Sequence, residues 1–366
     1  MKKLGFGCMR MPTKKGMGDG FVNYNRAGEM MDYYLDKGFV YFDTAFMYHK
    51  GNSEKVVGKM LCSRHDRESF LLADKMPVGM IVRKGMTERI FEKQKAKCNT
   101  EYFDYYLLHC LNKDNYARAL KYNVFDILAD KKAKGEIRKL GFSFHDTAEV
   151  LDKILTEHPE MEFVQLQINY LDWEDEKVQS RLCYEVARKH GKDIIVMEPV
   201  KGGKLANVPD EVAKIIDEAA PGVSPACFAL GFTASLEGVI MVLSGMSNMQ
   251  QLKENVEYFD NFKPFGEKEF KAAKKAVEIF LKEKAIPCTD CKYCVEGCPK
   301  SINIPEYFKC YNTSLSDMPK GEMMYKQTAE KSGSISDCIS CGKCEKTCPQ
   351  KIKITKEFKK IEKKFG

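Results

Sequence analysis

Across the first 260 residues, short apolar segments alternate with longer stretches whose apolar residues return at helical spacing, the pattern of parallel strands covered by helices. Eight short segments read as strands: Leu4–Met11, Phe39–Phe46, Phe70–Lys75, Tyr105–Cys110, Ile137–Phe144, Phe163–Asn169, Asp193–Glu198 and Val239–Leu243. Helices are expected between them, among them Asn25–Lys37, Tyr116–Lys134 and Glu174–His190. Eight successive strand–helix units predict a closed (β/α)8 barrel of the TIM type, with chemistry at the C-terminal ends of the strands. An open dinucleotide-binding sheet is the alternative, but no Gly-x-Gly-x-x-Gly opens a helix after a strand.

The C-terminal part has a different grammar. Eight of the 15 cysteines form two matching runs, Cys288-x2-Cys291-x2-Cys294-x3-Cys298-Pro299 and Cys338-x2-Cys341-x2-Cys344-x3-Cys348-Pro349. Disulfides do not explain a repeated triple spacing, and structural zinc usually takes two separate pairs rather than four ligands in one run ending in Cys-Pro. The runs resemble bacterial two-cluster ferredoxins, in which three close thiolates hold one cubane and the fourth reaches to the other. That resemblance implies Cys288, Cys291, Cys294 and Cys348 on one [4Fe-4S] cluster, and Cys338, Cys341, Cys344 and Cys298 on a second. Ile302-Asn303-Ile304 and Ile352-Lys353-Ile354 follow the two runs at one offset, so the tail reads as an internal duplication. Helix is expected in the long connection 306–337. The domain reading is therefore a barrel over 1–262, a connecting helix over 263–285, and a small, mainly helical ferredoxin-like domain over 286–366. The remaining seven cysteines show no ligand spacing and are read as small apolar residues, with Cys8 and Cys110 set apart only because they neighbour candidate site residues.

Charge adds one point. The net charge of +7 lies wholly in the tail, where 21 Lys face 14 acids from residue 264 onward, while the residues before it balance at 38 against 38. This tail has no Arg, the side chain suited to bidentate phosphate and base contacts, which argues against nucleic acid as a partner. Lysine instead offsets anionic clusters, or meets an acidic redox protein partner. Arg10 interrupts the first apolar run, no small-residue cleavage site follows it, and no stretch is apolar enough to span a bilayer. The expectation is a cytoplasmic protein with no membrane partner.

Polar residues gather at the predicted strand ends: Asp43 with Tyr48 just beyond, Lys75, and His109. Singly each has a bland reading as a cap, a solvated cation or a satisfied core histidine. Together they resemble the aldo-keto reductase family, through Asp43-Thr44-Ala45-Phe46-Met47-Tyr48 with Gly51-Asn52-Ser53-Glu54, Asp74-Lys75, Leu107-Leu108-His109, Gly141-Phe142-Ser143, Gln167-Ile168-Asn169-Tyr170 and Gly245-Met246-Ser247. With the cysteine runs, the chain resembles the iron-sulfur branch of that family.

The resemblance implies reduction of an aldehyde or ketone, or oxidation of the alcohol, by NADPH or NADH. Tyr48 would be the acid, Lys75 the cation that lowers its pKa, Asp43 the partner that keeps Lys75 charged and aimed, and His109 a hydrogen-bond donor to the carbonyl. It also implies Ser143 and Gln167 on the nicotinamide, Gly245, Met246 and Ser247 at a cofactor phosphate, Glu254 and Asn255 at the adenine end, and Gly7 and Gln251 as further cofactor-binding residues. Three positions depart from the family. Phe144-His145 follow the fifth-strand serine where Asn is usual, Met197-Glu198 precede Pro199 where an aromatic ring is common, and Gln250-Gln251 stand where a basic residue often marks the 2′-phosphate. The alternative is a redox sensor or electron-transfer partner, in which barrel and clusters bind cofactor without carbonyl turnover.

Overall fold

The computed structural model describes residues 2–17, 20–282, 286–288, 290, 292–315, 317–348 and 350–366. It divides into two compact units, Met1–Ala206 with Ile216–Lys274, and Asn207–Ile215 with Lys275–Gly366.

In the first unit eight parallel strands, β1 (Leu4–Gly7), β2 (Tyr41–Asp43), β3 (Leu71–Met76), β4 (Phe103–Leu111), β5 (Ile137–Phe144), β6 (Phe163–Gln167), β7 (Asp193–Met197) and β8 (Val239–Ser244), pair in chain order and close as β8 meets β1. The expected (β/α)8 barrel is what the chain adopts. Side chains alternate across a strand, and here the parity is shared. Tyr41, Ala73, Tyr105, Leu107, Phe163, Ile195, Met241 and Leu243, all odd-numbered, touch one another in a cluster that only the barrel interior can assemble. Their even-numbered neighbours Phe42, Leu72, Tyr106, Leu108, Val164, Ile194 and Val242 join a larger core with helix residues such as Met30, Leu151 and Leu252. Followed toward the strand C-termini, the inward row turns from apolar to polar at Asp43, Lys75, His109, Ser143 and Gln165.

The inward row also needs gaps. A Cβ on Gly141 of β5 would stand 2.3 Å from the Phe163 carbonyl oxygen and 2.8 Å from its ring, so the absence of a side chain there makes room for the neighbouring strand and its aromatic.

Local chemistry moves several element boundaries. The segment 116–134 forms two helices, Lys113–Lys121 and Val124–Ala133, because Asn123 between them is left-handed at φ 54°, a conformation Asn tolerates. The helix expected from Glu174 starts only at Ser180. Before it, the Asp175 carboxylate accepts from the amides of Lys177 and Val178 at 2.9 Å, a local turn that competes with helix. Strand β2 is only three residues long, and the chain leaves it at Thr44 to form the turn that carries Tyr48.

The second unit is helical in its described residues, with Ile304–Ser314, Met318–Lys331 and Ile354–Phe365 as its longer helices within 286–366. Its small core holds Ile302, Ile304, Tyr307, Phe308, Ile352, Ile354 and Phe358. Both isoleucine pairs of the duplication are buried there, at equivalent positions. No helix of the described residues is long and apolar enough to cross a membrane.

Gly141→Ala should destabilise the barrel by about 3 kcal/mol in denaturant unfolding, from overpacking against backbone. Gly79→Ala, an exposed position with no neighbour nearer than 3.5 Å, should shift it by less than about 0.5 kcal/mol.

Candidate active site

Strand pairing sets Asp43 beside Ala73 and Lys75 beside Leu107, so the inward side chains of β2, β3 and β4 converge at one end of the barrel. Lys75 is fully buried and Asp43 nearly so. The Lys75 ammonium donates to Asp43 Oδ1 at 2.5 Å, to the Thr44 carbonyl at 2.8 Å and to the Tyr48 hydroxyl oxygen at 3.2 Å. All three of its protons are thereby placed. Because the phenol oxygen accepts from Lys75, its own O–H is left to point elsewhere, toward the open side of the site. The Tyr48 and His109 rings meet edge to face, 6.1 Å apart. Asp43 receives a second bond from Gln165 Nε2 at 3.2 Å.

The charges follow from this packing. Burial pulls the Lys75 pKa down, but the Asp43 carboxylate, aided by Tyr48, more than offsets it and raises the ammonium above its ordinary value. Tyr48 differs from the expectation of a lowered pKa. Desolvation raises it more than Lys75 lowers it, so the phenol holds its proton at neutral pH. His109 is pushed down to about 3 by burial and then by the Lys75 cation, which makes it a neutral imidazole. A buried layer supports the pair from behind. Gln94 donates to Glu54 and to the Lys75 carbonyl, each at 3.0 Å, and accepts from Tyr106, while Glu54 pairs with Lys97 at 2.5 Å.

Tyr48 and His109 open onto a cleft of about 820 Å³ whose walls include Arg10, Arg26, Ser143, His145, Gln165, Met197, Glu198 and Ser247. Ser143 accepts from the Cys110 amide at 2.7 Å and keeps its hydroxyl proton for the cleft. The other nucleotide candidates divide. Gln167 is turned away, donating to Asp172 at 3.1 Å beside Asn169, and Asp172 is ion-paired with Lys201. Met246 is buried, and Asn255 is buried and donates to Ser244 Oγ at 3.0 Å. Gln251 accepts from the Ser247 amide at 2.8 Å, and Glu254 is exposed on the same helix. Gly245 lies under the aliphatic stem of Arg10, and Gly7 sits where a Cβ would approach the Ser244 carbonyl oxygen at 3.0 Å. Sequence reasoning missed Gln165 and Arg10. Gln165 shares the inward parity of Asp43, Lys75 and Ser143, and that signal could have found it.

In the second unit, Cys298, Cys338, Cys341 and Cys344 line one pocket together with Ile302, Ile304 and Phe358. This is the set that ferredoxin-like spacing assigns to a single cluster. Of the other set, Cys294 is buried, Cys288 and Cys348 pack on the same small core, and Cys291 lies outside the described residues. The donors thus fit iron-sulfur clusters, soft thiolates in an apolar setting. Among the described residues no three His, Cys, Asp or Glu side chains converge as a single-ion site requires.

The eight-stranded parallel barrel and the cysteine-rich region that follows it each find counterparts among known proteins. The model of the aldo/keto reductase family matches residues 3–278, and that of a 4Fe-4S dicluster domain matches residues 287–353. The chain belongs to the aldo/keto reductase family and is an oxidoreductase bearing a C-terminal iron-sulfur domain. It is 24% identical to the uncharacterized oxidoreductase YqkF of Bacillus subtilis over 306 residues, 74% of this chain and 91% of that protein. Among solved structures it resembles the holo form of aldo-keto reductase AKR11C1 from Bacillus halodurans, with a TM-score of 0.60, 23% identity, and coverage of 75% of this chain and 91% of that one. An aldo-keto reductase from Klebsiella pneumoniae in complex with NADPH gives a TM-score of 0.60 at 19% identity, covering 75% of this chain and 90% of that one.

The unfolded chain binds a proton at this histidine below its ordinary value of 6.5, and the folded chain only near 3, so this site makes folding less favourable as pH falls through that interval. The His109 ring should stay neutral down to at least pH 5 in nitrogen-resolved NMR of labelled imidazoles. A midpoint near 6.5 would show that Lys75 and burial do not act on it.

Proposed function

We propose that the barrel catalyses nicotinamide-dependent reduction of an aldehyde or ketone, or the reverse oxidation of the alcohol, with Tyr48 as the general acid or base. The observation that carries this reading is the buried Lys75 ammonium donating at once to Asp43 and to the Tyr48 oxygen. Reduction of a carbonyl builds negative charge on its oxygen, and catalysis needs a proton donor and fixed dipoles there. Tyr48 holds a proton directed to the cleft. His109, neutral, donates a hydrogen bond to the same oxygen and orients it. As Tyr48 gives up its proton, the phenolate that remains lies against Lys75, whose charge Asp43 has secured, and stabilisation thus grows in step with the charge.

A reduced nicotinamide, when bound, supplies the hydride. Its site is supported by the volume of the cleft, by Ser143, Gln165 and Ser247 as polar wall groups, and by Arg10 and Arg26 as cations for phosphates. Gln165, rather than Gln167, is the amide of β6 that this cleft offers to the carboxamide. The relative crystallised with NADPH makes that nucleotide the first to test.

For the second unit we propose two [4Fe-4S] clusters, held by Cys288, Cys291, Cys294 and Cys348, and by Cys338, Cys341, Cys344 and Cys298. Six of these, Cys288, Cys294, Cys298, Cys338, Cys344 and Cys348, belong to or pack on a small hydrophobic core, which favours a structural role in which cluster assembly and folding of the unit are one event. Hydride moves two electrons at once and a cluster passes one, so the barrel chemistry needs no relay through iron.

Tyr48→Phe should lower carbonyl turnover by at least ~100-fold, the low end for loss of a general acid, while leaving NADPH affinity within about threefold by calorimetry; retained turnover would remove Tyr48 from the role. Anaerobically purified chain should carry about eight irons and eight acid-labile sulfides. Chelating that iron should abolish the helical signal of the second unit and leave carbonyl reduction in the barrel intact. Carbonyl turnover that vanishes with the iron would refute the structural role.

A further inference from the structure

Glu198 immediately follows the last residue of β7, and its backbone is left-handed at φ 56°, uncommon for a residue with a side chain. Its carbonyl is clamped by Asn169 Nδ2 at 3.1 Å and by the Lys201 amide at 3.0 Å. Asn169 is itself buried and bonded to Asp172, which pairs with Lys201 across the next turn. With its backbone held this way, Glu198 lines the cleft that Tyr48, His109 and Ser143 share, and it is the one carboxylate among the described lining residues. Glu198 and Arg10 flank Gly202, and His145 feels the Glu198 charge. The point that a Gly202 Cβ would occupy is 3.8 Å from Glu198 Oε2 and 3.7 Å from the Arg10 guanidinium, and no ion pair among the described residues includes Glu198.

Carbonyl reduction at Tyr48, as read above, does not call on this carboxylate, but a hydride donor bound in the cleft would face it. A nicotinamide ring is neutral when reduced and cationic when oxidised, and for transfer to a carbonyl held by Tyr48 and His109 it must lie in this cleft. A carboxylate on the wall, itself partly buried, then faces the positive charge across the cleft. Met197, the residue before it, offers a thioether and no competing charge. Arg10 and Arg26 act in the opposite sense and set the size of the difference.

We propose that Glu198 selects the charge state of the cofactor, binding the oxidised nicotinamide more tightly than the reduced one and so making the bound reduced form a stronger hydride donor. This rests on the nicotinamide-dependent reading above. The consequence lies on the enzyme: the equilibrium between bound species shifts toward alcohol with oxidised nucleotide, while the overall equilibrium is unchanged.

The test uses the full chain with its clusters in place, titrated calorimetrically with NADP+ and with NADPH, and in parallel with NAD+ and NADH. Glu198→Gln keeps the shape and removes the charge. It should weaken oxidised-nucleotide binding about tenfold and leave reduced-nucleotide binding within about twofold, which raises the potential of the bound couple by about 30 mV. Glu198→Asp should keep most of the preference. Equal weakening of both forms would mean that Glu198 only shapes the site, and an unchanged ratio would mean that it does not sense the ring; either overturns the proposal while the nicotinamide reading stands. Wild-type chain that binds neither nucleotide overturns both.

Discussion

The site depends on one buried ion pair. Placing Lys75 and Asp43 inside a barrel removes both from water, a loss that their mutual attraction recovers only when every remaining donor and acceptor is used. Here they are used: the ammonium has three acceptors and the carboxylate accepts from both Lys75 and Gln165. Such a pair is a poor device for stability, since an apolar pair of the same volume would serve as well. Its effect is on neighbours, because a fixed positive charge at the floor of the cleft adds to burial in holding His109 neutral and opposes the rise that burial gives the Tyr48 pKa.

The rest of the barrel serves to hold that pair. Apolar inward residues fill the middle of the cylinder, and above them the inward positions of different strands bring Asp43, Lys75 and Gln165 into contact. Behind Lys75, Gln94 ties its carbonyl to Glu54 and Lys97, which fixes the strand without adding a competing charge in the cleft. The second unit solves a different problem. Its core is small for its length, and thiols occupy part of it, the setting in which the proposed clusters would act as cross-links.

Much of this was legible in the order of residues. Alternating segments predict eight strands, and the resemblance of the cysteine runs to two-cluster ferredoxins implies their division into sets, one of which lines a common pocket. The catalytic candidates were found because Asp43, Lys75 and His109 all end strands. What could not be read was set by contacts between loops. Gln167 has the same inward parity as Gln165, yet Asp172, five residues on, captures its amide, and nothing local announces that bond. The pKa of Tyr48 was misread for a related reason: sequence reveals the nearby cation but not the depth of burial that outweighs it. Asn123 and Asp175 broke helices through single-residue backbone chemistry that helical periodicity does not register.

The central claim is that Lys75 lowers the proton affinity that burial gives Tyr48. Its most direct measurement is the ionisation of Tyr48 followed by ¹³Cζ-tyrosine NMR, with the signal assigned by its loss in Tyr48→Phe, in wild type and in Lys75→Met. The account predicts that Tyr48 titrates at a higher pH once the cation is gone. An unmoved midpoint would contradict it.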